Sequence, residues 1–296
     1  MRHPTPYLPA AALLAIAIAA PSSTALAYKQ TMTCNESGIY ACEAGETALP
    51  VYWPQRCIVY HINESGTSDT DNDAAFEAIQ QSFAQWSEPS CTNLEVSFGG
   101  FTNEDEVRYN QSNPSSNVNV VVFRDDIWPH SSGVLALTSV TFQPRTGEIF
   151  DADIELNTAE YRFSTTDNRL RVGIDVANTV THEAGHFFGL DHSSVRESTM
   201  YATAPSGETS KRDLHEDDIE GICAIYSADT SSSDDSCAGA PVGYFEKPLN
   251  TSISSGNTSS SGVCSTTAVS SRTPSPLHAL ASIGLLALAA ITIRRR

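Results

Sequence analysis

His182-Glu183-Ala184-Gly185-His186-Phe187-Phe188-Gly189-Leu190-Asp191-His192 is the stretch on which the reading of this chain turns. His182 and His186 are four residues apart, so on an α-helix their imidazoles share one face and can reach one metal ion together. Glu183 is badly placed to join that ligand set, but its carboxylate can reach a water held by the ion. Gly189 stands where the helix should stop. A glycine there takes the left-handed conformation that turns the chain sharply and brings His192 back as a third ligand. Three histidines leave a fourth zinc position for water, the arrangement of a catalytic rather than a structural site. Zinc lowers the pKa of such a water towards about 7 and polarises a carbonyl. Glu183 would act as general base and return the proton to the leaving amine. A bare H-E-x-x-H arises in many helices. Three histidines, an acid and a glycine in register are far more specific.

Working outward, Val176, Val180 and Phe187 are apolar and bury one side of a helix expected over Asp175 to Phe188. A second helix is expected over Asp73 to Trp86, where Ala75, Ile79, Phe83 and Trp86 recur at spacings of three and four and aspartates sit at the start. A third is expected over Glu216 to Tyr226. Cys57 to Ile62, Leu94 to Phe98, Val118 to Phe123, Val134 to Phe142 and Ile149 to Leu156 read as strands, with Pro144 to Gly147 as a turn. These elements make one folded domain over residues 49–227, preceded by a short polar lead over 28–48.

On these residues the chain resembles the metzincins, which share the elongated zinc motif and a methionine turn beneath the metal; Ser198-Thr199-Met200-Tyr201 matches that turn. Ser193 after the third histidine, the Met200-Tyr201 pair, Asp175-Val176-Ala177, Gly133-Val134-Leu135-Ala136 and Leu214 to Tyr226 are similar to the matrixin branch. The resemblance implies an α/β (α+β) catalytic domain: a five-stranded, mostly parallel twisted sheet with an antiparallel edge strand and about three helices. It implies a secreted endopeptidase with one catalytic zinc on His182, His186 and His192. An extended peptide would pair with the edge strand at Val134, Leu135 and Ala136, Tyr201 would line the pocket for the residue after the cleaved bond, and Met200 would form an apolar floor under the metal. Where matrixins carry histidines for a second zinc, Leu137-Thr138 and Ile149-Phe150 offer none. Asp151, Asp153 and Glu155 alternate and so share one strand face. They lie near where matrixins hold calcium, and a calcium site and a solvated acidic face are the two readings.

The ends point outside the cell. Arg2, the apolar run Ala10 to Ala20 and Ala25-Leu26-Ala27 form an export signal over residues 1–27. Residues 228–276 are dominated by Ser and Thr, too polar to bury a core, and read as a stalk. Residues 277–296 carry an apolar stretch followed by Arg294-Arg295-Arg296. That segment resembles a bacterial C-terminal sorting signal, with a plain tail anchor as the other reading and transient membrane attachment in either case. A formal net charge of −18 argues against nucleic acid as a partner. An exported chain with seven cysteines should hold disulfides. Nearness in sequence suggests Cys34–Cys42, Cys57–Cys91 and Cys223–Cys237, leaving Cys264 over.

A monomeric secreted zinc endopeptidase is the reading this supports. A catalytically silent surface adhesin on the same fold, or a zinc hydrolase of a non-protein cell-wall polymer, are its competitors. The adhesin would be expected to lack Glu183 or a ligand, and none is missing.

Overall fold

The computed structural model describes residues 27–36, 41–167 and 173–228, with Cys237 and the backbone of Leu285–Leu286. The expected signal, and nearly all of the expected stalk and C-terminal segment with Cys264, lie outside the described residues. In chain order the elements are β1 (Lys29–Gln30), β2 (Cys57–Asn63), α1 (Asn72–Gln85), β3 (Glu95–Thr102), β4 (Val120–Phe123), β5 (Ala136–Phe142), β6 (Ile149–Leu156), β7 (Phe163–Ser164), β8 (Ile174–Asp175), α2 (Val176–Phe187), β9 (Leu190–Asp191), α3 (Glu216–Ile225) and β10 (Leu285–Leu286).

Five strands of the domain form one mixed sheet in the order β5-β6-β4-β2-β3, and the two-residue β10 adds antiparallel outside β5. The pairs β2/β3, β2/β4 and β4/β6 are parallel, while β5 runs antiparallel to β6. Side chains alternate across this sheet. On β6, Ala152, Ile154 and Leu156 enter the main core, and Asp151, Asp153 and Glu155 take the opposite face.

The core fills the space between the first of those faces and two helices. On α1, Ala75, Phe76, Ile79 and Phe83 are buried at helical spacing, and Asp71 caps the helix by accepting from the Ala74 amide. Tyr60 stacks on Phe83, which meets Phe187 and Phe188 edge-on. Trp86 donates its indole N–H to the Thr181 carbonyl of α2 at 3.0 Å, tying the two helices side by side.

Several boundaries shift from the sequence reading for identifiable reasons. Helix α2 starts at Val176 because Asp175 is its cap, its carboxylate accepting from the Asn178 amide at 2.8 Å. Strand β4 starts at Val120 because the Asn119 side chain bridges its neighbours instead, donating to the Val59 carbonyl and accepting from the Ala152 amide. Strand β5 starts at Ala136 because the carbonyls of Val134 and Leu135 accept from Asn157.

The polar lead is part of the domain. Its strand β1 pairs antiparallel with β9, between the zinc-motif glycine and the third histidine, and the Thr31 amide donates to the Gly189 carbonyl.

The cysteine pairing corrects the sequence-based one. Cys34–Cys42 forms as expected, but Cys57 joins Cys237 and Cys91 joins Cys223. Parallel topology is the reason. Cys57 opens β2, the next strand in sequence is parallel to it, and Cys91 precedes that strand beside α3 rather than beside β2. Proximity along the chain does not survive a crossover connection.

Candidate metal centre

Helix α2 delivers the first two histidines. His182 and His186 are buried, and His192 is half-buried after the turn. The turn needs its glycine twice over. Gly189 has φ +94°, and a Cβ there would stand 2.5 Å from the Val51 carbonyl oxygen. The carbonyls at the end of α2 find side-chain donors: Trp53 Nε1 binds Phe187 O at 2.8 Å, and the Tyr226 hydroxyl binds Phe188 O at 2.8 Å.

His182, His186 and His192 each offer a nitrogen, and these atoms all lie within 4.8 Å of one another. Among the described residues this is the one group of three or more metal-ligating side chains that converges so. Their Nε2 atoms are buried with no hydrogen-bond partner. In two of the three the other ring nitrogen is spoken for: His182 Nδ1 lies 2.6 Å from the Thr199 carbonyl and His186 Nδ1 2.8 Å from the Leu190 carbonyl. A carbonyl only accepts, so each Nδ1 carries the proton and each Nε2 presents its lone pair. Burial holds all three imidazoles below their ordinary proton affinity, His186 at about 3 with His192 contributing. Neutral, preoriented rings with orphaned lone pairs around one point fit a divalent metal such as zinc.

Glu183 completes the site. It is fully buried, and its Oε1 has no partner, like the three Nε2 atoms. Its Oε2 accepts from the Thr138 hydroxyl of β5 at 2.7 Å. Burial pushes the carboxyl up to about 8, opposed by that hydroxyl and by the Lys211 ammonium.

Met200 packs beneath. A Cβ on Gly185 would stand 2.1 Å from its sulfur, so only glycine on that helix face admits the methionine. Asp218 of α3 holds the turn, accepting from the Ser198 hydroxyl and the amides of Thr199 and Met200. Tyr201 follows, half-buried, with the cations of Arg196 and Lys211 each 5.9 Å from its ring centre.

Other sequence-picked residues behave differently. The side chains of Val134, Leu135 and Ala136 are buried, Val134 packing with Trp128 and Leu137, so only their backbone could meet a ligand. Of the three acids on β6, Glu155 is engaged by Arg124 at 2.6 Å and by His130 at 2.8 Å. Asp151 and Asp153 instead share a hydrogen bond, and Asp153 also accepts from the Val120 amide. Their common face is buried rather than solvated.

Two residues that the sequence reading passed over matter here. Thr138 touches Glu183, and Lys211 is buried with its ammonium on the carbonyls of Tyr201 and Thr203. Both are signalled only by being polar in otherwise apolar or loop surroundings, which does not say what they face.

A family model described as Matrixin matches residues 52–227. Among similar curated proteins, Metalloendoproteinase 2-MMP of Arabidopsis thaliana is 27% identical over 60% of this chain and 43% of its own length. Neutrophil collagenase of Homo sapiens is 32% identical over 39% of this chain and 24% of its own length. Karilysin of Tannerella forsythia is 23% identical over 59% of this chain and 33% of its own length. The chain thus spans less than half the length of each of these relatives.

Proposed function

Because the chain belongs to the matrixin family, we propose that it is a zinc-dependent endopeptidase that cleaves extended peptide segments of proteins. The observation that carries this is the convergence of the orphaned Nε2 atoms of His182, His186 and His192, with Oε1 of Glu183, the next residue after His182, likewise buried and without a partner. The histidines would hold zinc, which when bound supplies an acidified water and a Lewis acid for the scissile carbonyl. Glu183 takes the proton of the attacking water at Oε1 and hands it to the departing amine. The peptide adds as a strand along the β5 edge, main chain to main chain near Val134 to Ala136, and its next side chain passes Tyr201.

Among the other readings, a silent adhesin has no support in a site that keeps every ligand and the acid. A cell-wall polymer hydrolase lacks the reason that a peptide has to pair main chain to main chain beside Val134 to Ala136, at the entry to β5, which β10 does not cover. The three disulfides support an oxidising setting outside the cytoplasm. Residues 1–27 would be the export signal, and 277–296 would hold the protein transiently at a bacterial membrane until processing. The domain works as a monomer in this reading.

The test is metal analysis with cleavage of a random peptide library. The parent should carry one zinc and cut peptides, and Glu183→Ala should keep the zinc and lose the cutting. Retained turnover in the variant, or a parent without transition metal, overturns the proposal.

A further inference from the structure

Thr138 lies on β5, opposite Ile154 of β6, and is fully buried. It projects from the core face of the sheet onto the middle of α2. Its hydroxyl oxygen stands 2.7 Å from Glu183 Oε2 and 3.0 Å from the Glu183 backbone carbonyl. A hydroxyl has one proton to give, and the charged acceptor makes the stronger bond. Among the described residues, Thr138 alone donates to this carboxylate. The last torsion of a glutamate is broad and roughly two-fold, so a carboxylate without a fixed partner does not hold one oxygen in one direction. Here Oε2 is held, and Oε1 is left buried without a partner, as are the three Nε2 atoms of the neighbouring histidines.

We propose that Thr138 is a positioning residue for Glu183: its hydroxyl pins Oε2 and so presents Oε1 to the reacting water. This rests on the reading of Glu183 as general base. It ties the base to the strand that receives the substrate. One residue on β5 sets the distance between the peptide main chain and the group that moves the proton. Rigid support of a catalytic group by a neighbouring hydrogen bond is worth much of its efficiency, because misplacement by an ångström is costly.

The experiment compares Thr138→Val, which keeps the shape and removes the donor, with Thr138→Ser, which keeps the donor. Zinc content, kcat and KM on one peptide are measured for both, beside Glu183→Ala. Valine should lower kcat about tenfold to hundredfold, with KM and zinc content unchanged. Serine should stay within about threefold of the parent, since the hydrogen bond persists. If valine costs the protein its zinc, Thr138→Ala replaces it in the same comparison. A donor-free variant that retains kcat, or a serine variant as impaired as the donor-free one, overturns the proposal. Glu183→Ala separates the two ideas. Its retained turnover would remove the base and the positioning role together, whereas an inactive Glu183→Ala beside an unimpaired Thr138→Val would remove the positioning role alone.

Discussion

Asp218 receives the hydroxyl of Ser198 at 2.5 Å, and both residues are buried. The same carboxylate accepts from the amides of Thr199, Met200 and His215, so one side chain of α3 organises the turn under the metal centre and the start of its own helix. Thr199 in turn gives its carbonyl to His182 Nδ1. Removing the carboxylate strands several buried donors, each worth about 1–3 kcal/mol. Asp218→Ala should therefore destabilise the domain by about 3 kcal/mol or more and weaken zinc binding through His182. Denaturant unfolding and a zinc titration check both effects. A variant with parental stability would show the turn to be held by other contacts.

Metal binding should stabilise the fold measurably, because its three donors are assembled only in the folded chain. Zinc a thousandfold above its dissociation constant adds about 4 kcal/mol. A chelator should lower the melting temperature of the parent and leave that of His192→Ala almost unmoved, since two histidines bind far more weakly than three. The half-buried position of His192 makes the substitution mild for the fold itself. Equal chelator sensitivity in both proteins would exclude His192 as a ligand.

The carboxyl pair on β6 gives a pH dependence of defined sign. Burial raises Asp151 to about 6 from an ordinary 3.8, and raises Asp153 as well, helped by the charge of Asp151. Groups whose folded proton affinity is raised contribute stability that is complete below the unfolded value of 3.8 and fades as pH climbs through about 6. In calcium-free buffer, Asp151→Asn should melt above the parent at pH 8, by about 1–3 kcal/mol in stability, with the gap closing near pH 4. Thermal melts across that range decide it. Calcium enters the same experiment: stabilisation of the parent and not of the variant would show that the pair serves a cation instead of sharing a proton.

Disulfide topology gives a fourth readout. Peptide mapping without reduction should recover Cys57 with Cys237 and Cys91 with Cys223. The second bridge joins the segment before β3 to α3, and Cys91→Ser with Cys223→Ser should cost about 2–5 kcal/mol. Mapping that recovered Cys57 with Cys91 would contradict the placement of Cys91 beside α3.

The metal motif was legible because its information is local. A spacing of four on a helix puts two side chains on one face whatever surrounds it, and Gly189 announces a turn that no other residue makes easily. Ile79 and Phe83, or Ile154 beside Asp153, show their faces by period alone. The entries to β4 and β5 were less legible, since the side chains of Asn119 and Asn157 take up backbone partners there, and nothing in the sequence says which carbonyl an asparagine will find.

By itself, the sequence determined the ligand set, the acid beside it and the helix that carries them, because each depends on residues a turn or two apart. Only the tertiary structure decided that Thr138 meets Glu183, that Asp218 holds the methionine turn, that Lys211 is buried on the following loop, and which cysteines join. Those contacts span from 8 to 180 residues, and the longest are set by crossover connections and packing of a parallel sheet, not by any spacing along the chain.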